Sequence, residues 1–205
     1  MRPIIILVIA IVVFAILAAV IVYNNYLALQ KHQMSLGKLT LPSWVISFGS
    51  PNASTTLIEI FDLHCPACAY AHVKLDQLYE ELLKKGKLRI IFIDFPNEKL
   101  HPGSAQAHQF LHCAYRQLGN KTFELIGRLY MVLLESGPKE QLELLQQYKC
   151  TDAPTASDFF RTVDLLAKDL SIEIRGTPTF IIIKNGTINV VVGADVARVT
   201  SLISQ

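Results

Sequence analysis

The chain has 205 residues, of which 51% are hydrophobic and only 18% are charged. This composition excludes a disordered chain and a collagen-like repeat, and the length suits one domain with a sizeable core. The net charge is +2 and no lysine- or arginine-rich block occurs, which argues against a nucleic-acid-binding protein.

The N-terminal segment accounts for the excess of apolar residues. Ile4 to Tyr23 is an unbroken run of twenty apolar residues, enough for a helix of about 30 Å that crosses a bilayer once. A cleaved signal peptide is the alternative, but its apolar core is shorter and a small-residue cleavage site follows it. We therefore predict a single transmembrane anchor over residues 1–23. Residues 24–40 are predicted to be a tether or a continuation of that helix.

The remaining residues, 41–205, are predicted to form one α/β domain. Two β-rich runs, residues 56–62 and 87–94, flank apolar residues at helical spacing, and this order predicts a β-α-β unit. Residues 98–170 are helical in pattern, with breaks that divide them into about four helices. They are predicted to form a helical insert.

A β-hairpin is predicted near the C-terminus. The runs 179–184 and 187–192 are joined by Asn185-Gly186, which is typical of a type I′ turn. A last helix is predicted from about Ala194 onward.

Cys65-Pro66-Ala67-Cys68 lies between the first strand and the first helix of this domain. Half a zinc site has the same spacing, but a zinc site needs a second ligand pair of the expected spacing, which the chain lacks. The start of a helix stabilises a thiolate through its unpaired N–H groups and its dipole. The position therefore favours thiol chemistry, with Cys65 as the attacked and attacking sulfur and Cys68 as the resolving thiol.

The motifs around these cysteines resemble a known family. The segments GSPNA at 49–53, IFDLHCPAC at 60–68, GTPTF at 176–180 and NG at 185–186 are similar to the DsbA-like branch of the thioredoxin superfamily. The resemblance runs from about residue 48 to the end. It implies a thioredoxin fold with an inserted helical domain. It also implies that Pro178 is cis and lies beside the disulfide, with Thr177 before it.

This resemblance implies a thiol:disulfide oxidoreductase acting on protein substrates without an organic cofactor or a metal. The expected location is the bacterial inner membrane, single-pass, with the catalytic domain facing the periplasm. We expect a disulfide oxidase reoxidised by a quinone-linked membrane partner. Ala67 replaces the histidine of the strongest oxidants, so a reductase or isomerase served by a membrane electron donor is the alternative. A periplasmic chaperone or binding module is the alternative of another class.

Three further residues are candidate site residues. Glu59 is the only charge in the first strand and corresponds to a buried acid of related proteins, so it is predicted to accept the proton of Cys68. A strand-edge glutamate that reaches water is the alternative. His64 is predicted either to stabilise the Cys65 thiolate as an imidazolium or to line the substrate site with Thr177 and Pro178. A substrate segment would pair with the Thr177 backbone as an added strand.

The other two cysteines, Cys113 and Cys150, are either buried free thiols or a structural disulfide, and we predict the disulfide because an oxidising compartment favours pairing. Closing this loop would stabilise the fold by roughly 4 kcal/mol. His101, His108 and His112 are predicted to be helix-surface residues without a metal role.

Overall fold

A computed structural model describes the backbone of residues 2–36, 39 and 41–204. The chain divides into two compact units, residues 1–39 and 40–205. The first unit holds helix α1 (Arg2–Leu36), which includes the predicted anchor and continues beyond it. The side chains of α1 are described at residues 9 and 11–27, and the other anchor side chains lie outside the described residues. Among the described residues, no helix is both long enough and apolar enough to cross a membrane.

The second unit is built on a five-stranded sheet with the order β1-β3-β2-β4-β5. Its strands are β1 (Ile46–Gly49), β2 (Thr55–Phe61), β3 (Leu88–Asp94), β4 (Thr179–Lys184) and β5 (Thr187–Val192). The pair β2 and β3 is parallel, and every other pair is antiparallel. A parallel pair needs a crossover, and helix α2 (Pro66–Lys84) supplies it, so the predicted β-α-β unit is confirmed.

The predicted hairpin is also confirmed. Strands β4 and β5 pair from Thr179 with Val192 to Lys184 with Thr187. The two turn residues have positive φ values, 49° at Asn185 and 74° at Gly186, as a type I′ turn requires.

Four α-helices follow β3, in agreement with the helical insert. They are α3 (Ser104–Leu118), α4 (Thr122–Glu135), α5 (Pro138–Leu145) and α6 (Ala156–Leu170). A disulfide joins Cys113 of α3 to Cys150, in the segment before α6. Helix α7 (Val196–Ser204) follows the hairpin.

The centre of the sheet is covered on both faces. Every residue of β2 except Thr56 is buried, and all of β4 is buried except Lys184. Near-continuous burial of this kind marks strands with packed layers on both sides. A charged side chain in the middle of β2, such as that of Glu59, is therefore buried on either face of the sheet.

Candidate active site

Cys65 caps the N-terminus of α2. Its backbone is extended, with φ −81° and ψ 116°, and its Sγ accepts a hydrogen bond from the Cys68 N–H at 3.4 Å. Pro66 occupies the first turn, where a missing N–H removes no helical hydrogen bond. The sulfur therefore lies at the positive end of the helix dipole, as the sequence predicts.

The two cysteine thiols, which are free in this structure, differ in acidity. A hydrogen bond from the Cys68 thiol lowers the pKa of Cys65 to about 6, with further hydrogen bonds outweighing the opposing effect of burial. Burial raises the pKa of Cys68, and the neighbouring Cys65 raises it further. Cys65 is 5% exposed and Cys68 is fully buried. Cys65 is therefore the thiolate that a partner sulfur can reach, and Cys68 is the protected thiol.

Thr177 and Pro178 lie beside this pair, although 112 residues separate Thr177 from Cys65 in the sequence. The Thr177–Pro178 peptide bond is cis. The Cys65 thiol donates to the Thr177 carbonyl oxygen at 3.7 Å. The structure thus brings together four of the predicted site residues, and the Thr177 backbone borders the reactive sulfur.

Glu59 lies in the middle of β2, paired with Phe92 of β3 and Phe180 of β4. It is fully buried, so the strand-edge alternative is wrong. Burial raises its pKa to about 8, although a hydrogen bond from the Tyr79 hydroxyl at 3.5 Å acts in the opposite direction. Its carboxyl group therefore exchanges a proton in the neutral to weakly alkaline range.

His64 is 5% exposed, and its Nδ1 lies 3.3 Å from the Pro102 carbonyl oxygen. Burial lowers the pKa of His64, so that the ring is neutral at neutral pH. This environment disfavours the imidazolium predicted to stabilise the Cys65 thiolate.

Asp62, three residues before Cys65, is the centre of a hydrogen-bonded network that the sequence did not indicate. It accepts from the backbone N–H groups of His64 and Asn97, each at 2.9 Å, and from the Ser104 hydroxyl. His101 Nδ1 lies 2.7 Å from its Oδ2. Burial alone would raise the pKa of Asp62, but His108, whose Nε2 lies 3.9 Å from Asp62 Oδ1, acts most strongly against it and, with Ser104 and Asn97, holds the pKa below its usual range.

The prediction that His108 and His112 lie on a helix surface is wrong. His108 is fully buried and His112 is 2% exposed. Their inward position on α3 is stabilised by Asp94 at the end of β3, which lies 2.6 Å from His108 Nδ1 and 2.9 Å from His112 Nε2. His101 lies before the start of α3 and is partly buried, with 19% of its side chain exposed, so the helix-surface prediction is wrong for it as well.

Within the described part of the chain, no group of three histidine, cysteine or carboxylate side chains is arranged to hold a metal ion.

A family model for thioredoxin matches residues 44–191. The chain belongs to the thioredoxin family. No curated protein sequence matches it. The thioredoxin fold of residues 41–204 agrees with the predicted fold class, and the resemblance to DsbA-like proteins is confirmed by solved structures of that type.

Three of these structures show how far the similarity extends. A periplasmic thioredoxin-like protein of Salmonella enterica serovar Typhimurium superposes with a TM-score of 0.58 at 18% identity, covering 83% of this chain and 94% of that one. Pseudomonas aeruginosa DsbA2 gives 0.55 at 21% identity, with 80% and 95% covered. Bacillus subtilis BdbD gives 0.53 at 18% identity, with 80% and 94% covered. At these identities the thioredoxin fold is what is shared.

Sequence reasoning missed two residues close to Glu59 in this thioredoxin fold. His72 Nδ1 lies 4.0 Å from Glu59 Oε2, and its Nε2 lies 3.8 Å from Asp76 Oδ1. The signal was the spacing of four residues from Cys68 to His72 and from His72 to Asp76, which places all three on one face of a helix.

Proposed function

We propose that this thioredoxin-family protein is a thiol:disulfide oxidoreductase that oxidises cysteine pairs in protein substrates through Cys65 and Cys68. The observation that carries the proposal is the placement of an acidified Cys65 at the start of α2, beside a protected Cys68 and the Thr177 carbonyl oxygen. The similarity in fold to DsbA2 and BdbD supports it.

The proposed cycle is disulfide exchange. A substrate thiolate attacks Cys65 Sγ in the oxidised protein, which breaks the Cys65–Cys68 bond and leaves Cys68 as a thiolate that takes up a proton. A second substrate thiolate then attacks the substrate sulfur of the mixed disulfide and releases Cys65 as a thiolate. The substrate has lost two electrons, and the dithiol of the protein holds them.

The direction of exchange follows from the stability of the reduced form. A Cys65 thiolate with a pKa of about 6 is stabilised relative to an ordinary thiol, and stabilising the reduced form makes a dithiol pair a better oxidant. This favours an oxidase. A reductase or isomerase kept reduced by an electron donor is the second candidate, because Ala67 adds no polar group to the thiolate.

Two further roles belong to the same proposal. Glu59 exchanges the proton of Cys68, for which its burial and its pKa of about 8 suit it. The backbone of Thr177 and Pro178 binds an extended substrate segment next to Cys65, with His64 bordering the same site. The Cys113–Cys150 disulfide is proposed to be structural, since Cys113 is 1% exposed.

The proposed location is the periplasmic side of a bacterial inner membrane. It rests on the apolar run Ile4 to Tyr23, on the exposed apolar side chains described along α1, and on the periplasmic origin of the Salmonella protein. A quinone-linked membrane protein would reoxidise the dithiol. The exchange itself needs no organic cofactor or metal, because sulfur atoms carry both electrons.

The test is oxidation of a reduced two-cysteine peptide by the purified, oxidised protein. We expect stoichiometric oxidation by wild type and none by Cys65→Ser, while Cys68→Ser accumulates mixed disulfides with protein partners in cells. The double variant Cys113→Ser with Cys150→Ser is the control and keeps the activity.

Thiol trapping in cells then separates the candidates, because an oxidase has Cys65 and Cys68 mostly oxidised and a reductase has them mostly reduced. A protein that suppresses aggregation equally well without either cysteine would instead be a binding module.

A further inference from the structure

One face of α2 joins the buried thiol to solvent. Cys68, His72 and Asp76 follow one another at intervals of four residues, so their side chains lie along one side of the helix. Cys68 and His72 are fully buried, whereas 40% of the Asp76 side chain is exposed. Glu59 faces this row from β2, 4.0 Å from His72.

His72 has an unusual lack of hydrogen bonds. Neither ring nitrogen has a partner among the described residues, and Glu59 Oε1 also has none. Such buried unpaired atoms are rare in folded proteins because each forfeits its hydrogen bonds with water. The two nitrogens lie towards two different carboxyl groups, at 4.0 Å from Glu59 and 3.8 Å from Asp76. Each gap exceeds an ordinary N–H···O hydrogen bond by about 1 Å, so proton transfer requires the ring and the two carboxyl side chains to move closer together.

The surroundings keep the ring neutral. It is enclosed by Tyr79, Phe92, Phe123 and Tyr130, whose ring centroids lie 5.2 to 5.9 Å from its own. Burial lowers the pKa of His72 to about 3 and raises the pKa of both tyrosines. The titratable groups that face the ring are therefore Glu59 on β2, Asp76 and Tyr79 on α2, and Tyr130 on α4. Of these, Glu59 has a pKa of about 8, and burial raises the pKa of Asp76 above its ordinary value.

The outer end of the row opens to water. Asp76 lines a surface cleft between α2 and α4, together with Glu80, Glu124 and Arg128. Gly127 of α4 has no side chain to cover the Asp76 carboxylate, and a Cβ there would lie 3.6 Å from Oδ1. A proton that reaches Asp76 is therefore in contact with solvent.

We propose that His72 and Asp76 form a proton path that connects Glu59, and through it Cys68, with solvent. This inference rests on the proposed disulfide exchange. At neutral pH the Glu59 carboxyl group is mostly protonated, so it first gives its proton to His72 Nδ1, the proton on Nε2 passes to Asp76 Oδ1, and Asp76 releases it to water. The Glu59 carboxylate then takes the proton of Cys68, whose thiolate attacks Cys65 Sγ and releases the partner sulfur as a thiolate.

The reverse half of the cycle uses the same path inward. When a substrate thiolate opens the Cys65–Cys68 disulfide, the Cys68 thiolate takes a proton that enters through Asp76, His72 and Glu59. Each complete cycle thus returns the imidazole to its starting tautomer. His72 and Asp76 touch no substrate, so they act on the reaction through Glu59.

The test follows the two steps of oxidation separately. Reduced full-length protein is mixed with glutathione disulfide, quenched with acid, and analysed by mass spectrometry for the Cys65–glutathione adduct. Adduct formation depends on Cys65 and should be unchanged in every variant. Adduct loss depends on Cys68 and should slow at least about tenfold in His72→Phe at pH 7, within the range of general acid–base catalysis. The difference in the rate of adduct loss between His72→Phe and wild type should decrease as pH rises, because hydroxide then removes the proton.

Asp76→Asn should slow adduct loss about three- to tenfold, and Asp76→Glu should restore it. Glu81→Gln is the matched control, because Glu81 lies on the same helix with 55% of its side chain exposed and pairs with Lys85. Asp76 is at the surface, so Asp76→Asn still provides the test if His72→Phe fails to fold. Adduct loss within twofold of wild type in Asp76→Asn at every pH would overturn the proton path. A wild-type protein that forms or resolves no adduct would overturn the proposed function instead.

Discussion

Asp62 and Glu59 are two fully buried carboxylic acids three residues apart in the sequence, yet the protein treats them in opposite ways. Asp62 accepts from two backbone N–H groups and from Ser104, with His101 also in contact, and its pKa lies below the usual range. Glu59 has one donor, Tyr79, and its pKa is raised to about 8. Both side chains are fully buried, so the hydrogen-bond donors and the neighbouring His108 ring account for the charge that Asp62 keeps.

The difference separates an acid suited to a structural role from one suited to proton exchange. Permanent charge on Asp62 holds the segment before Cys65 to the start of α3, and proton exchange there would break those contacts. Glu59 has few contacts to lose when it changes its protonation state. A buried carboxyl group with too few donors is therefore a candidate for proton transfer.

The largest expected effect is on Asp62. Asp62→Ala leaves its backbone and side-chain donors unpaired in the core and should lower the free energy of unfolding by about 3–5 kcal/mol at pH 7. Urea unfolding measures it. Asp164→Ala, at an exposed position of α6, is the control and should stay within about 0.5 kcal/mol of wild type. A loss below about 1 kcal/mol at Asp62 would show that its network contributes little.

The next effect concerns the pH dependence of stability, where the two acids should act with opposite signs. The folded protein retains the Glu59 proton up to a pKa of about 8, whereas the unfolded chain releases it near 4.5. Stability from Glu59 therefore falls as pH rises between these values. Asp62, with its lowered pKa, contributes stability that is lost only as pH falls below its ordinary range.

Glu59→Gln should remove that slope. The free energy of unfolding of Glu59→Gln minus that of wild type should increase by about 2–4 kcal/mol between pH 5 and pH 8, because each pKa unit corresponds to 1.36 kcal/mol. Urea unfolding at four pH values across this range is the measurement. A difference that stays constant with pH would mean that Glu59 is already ionised at pH 5.

The smallest effect tests the single donor to Glu59. Tyr79→Phe removes a hydrogen bond that favours the carboxylate, so the pKa of Glu59 should rise by roughly 0.5–1 unit. Carbon NMR of labelled glutamate side chains follows the titration. Tyr70→Phe on the same helix is the control, since Tyr70 is 50% exposed, and it should leave the titration unchanged.

Much of the sheet was predictable because its signals are local. The Asn185-Gly186 turn specifies its own hairpin, and four of the five strands are runs rich in apolar and β-branched residues. Strand β1 was missed because it has four residues, Ile46–Gly49, too few to show a period. The reactive cysteine pair was predictable for the same reason, since its motif and the adjoining helix start are contiguous.

The polar core was harder to predict because it depends on contacts between distant segments. His108 and His112 were expected on the helix surface, but Asp94 at the end of β3, a distant segment, interacts with both in the core. The spacing of His72 and Asp76 from Cys68 was visible in the sequence. Its meaning depends on Glu59 lying opposite, which the strand order determines.

The Cys113–Cys150 cross-link has a consequence for biosynthesis. Four cysteines allow three fully paired arrangements, and only one of them leaves the reactive pair intact. Cys113 is 1% exposed in the folded protein, so an oxidant reaches its sulfur only before α3 is packed. We therefore expect the Cys113–Cys150 bond to form while the chain is still folding, before α3 packs against its neighbours.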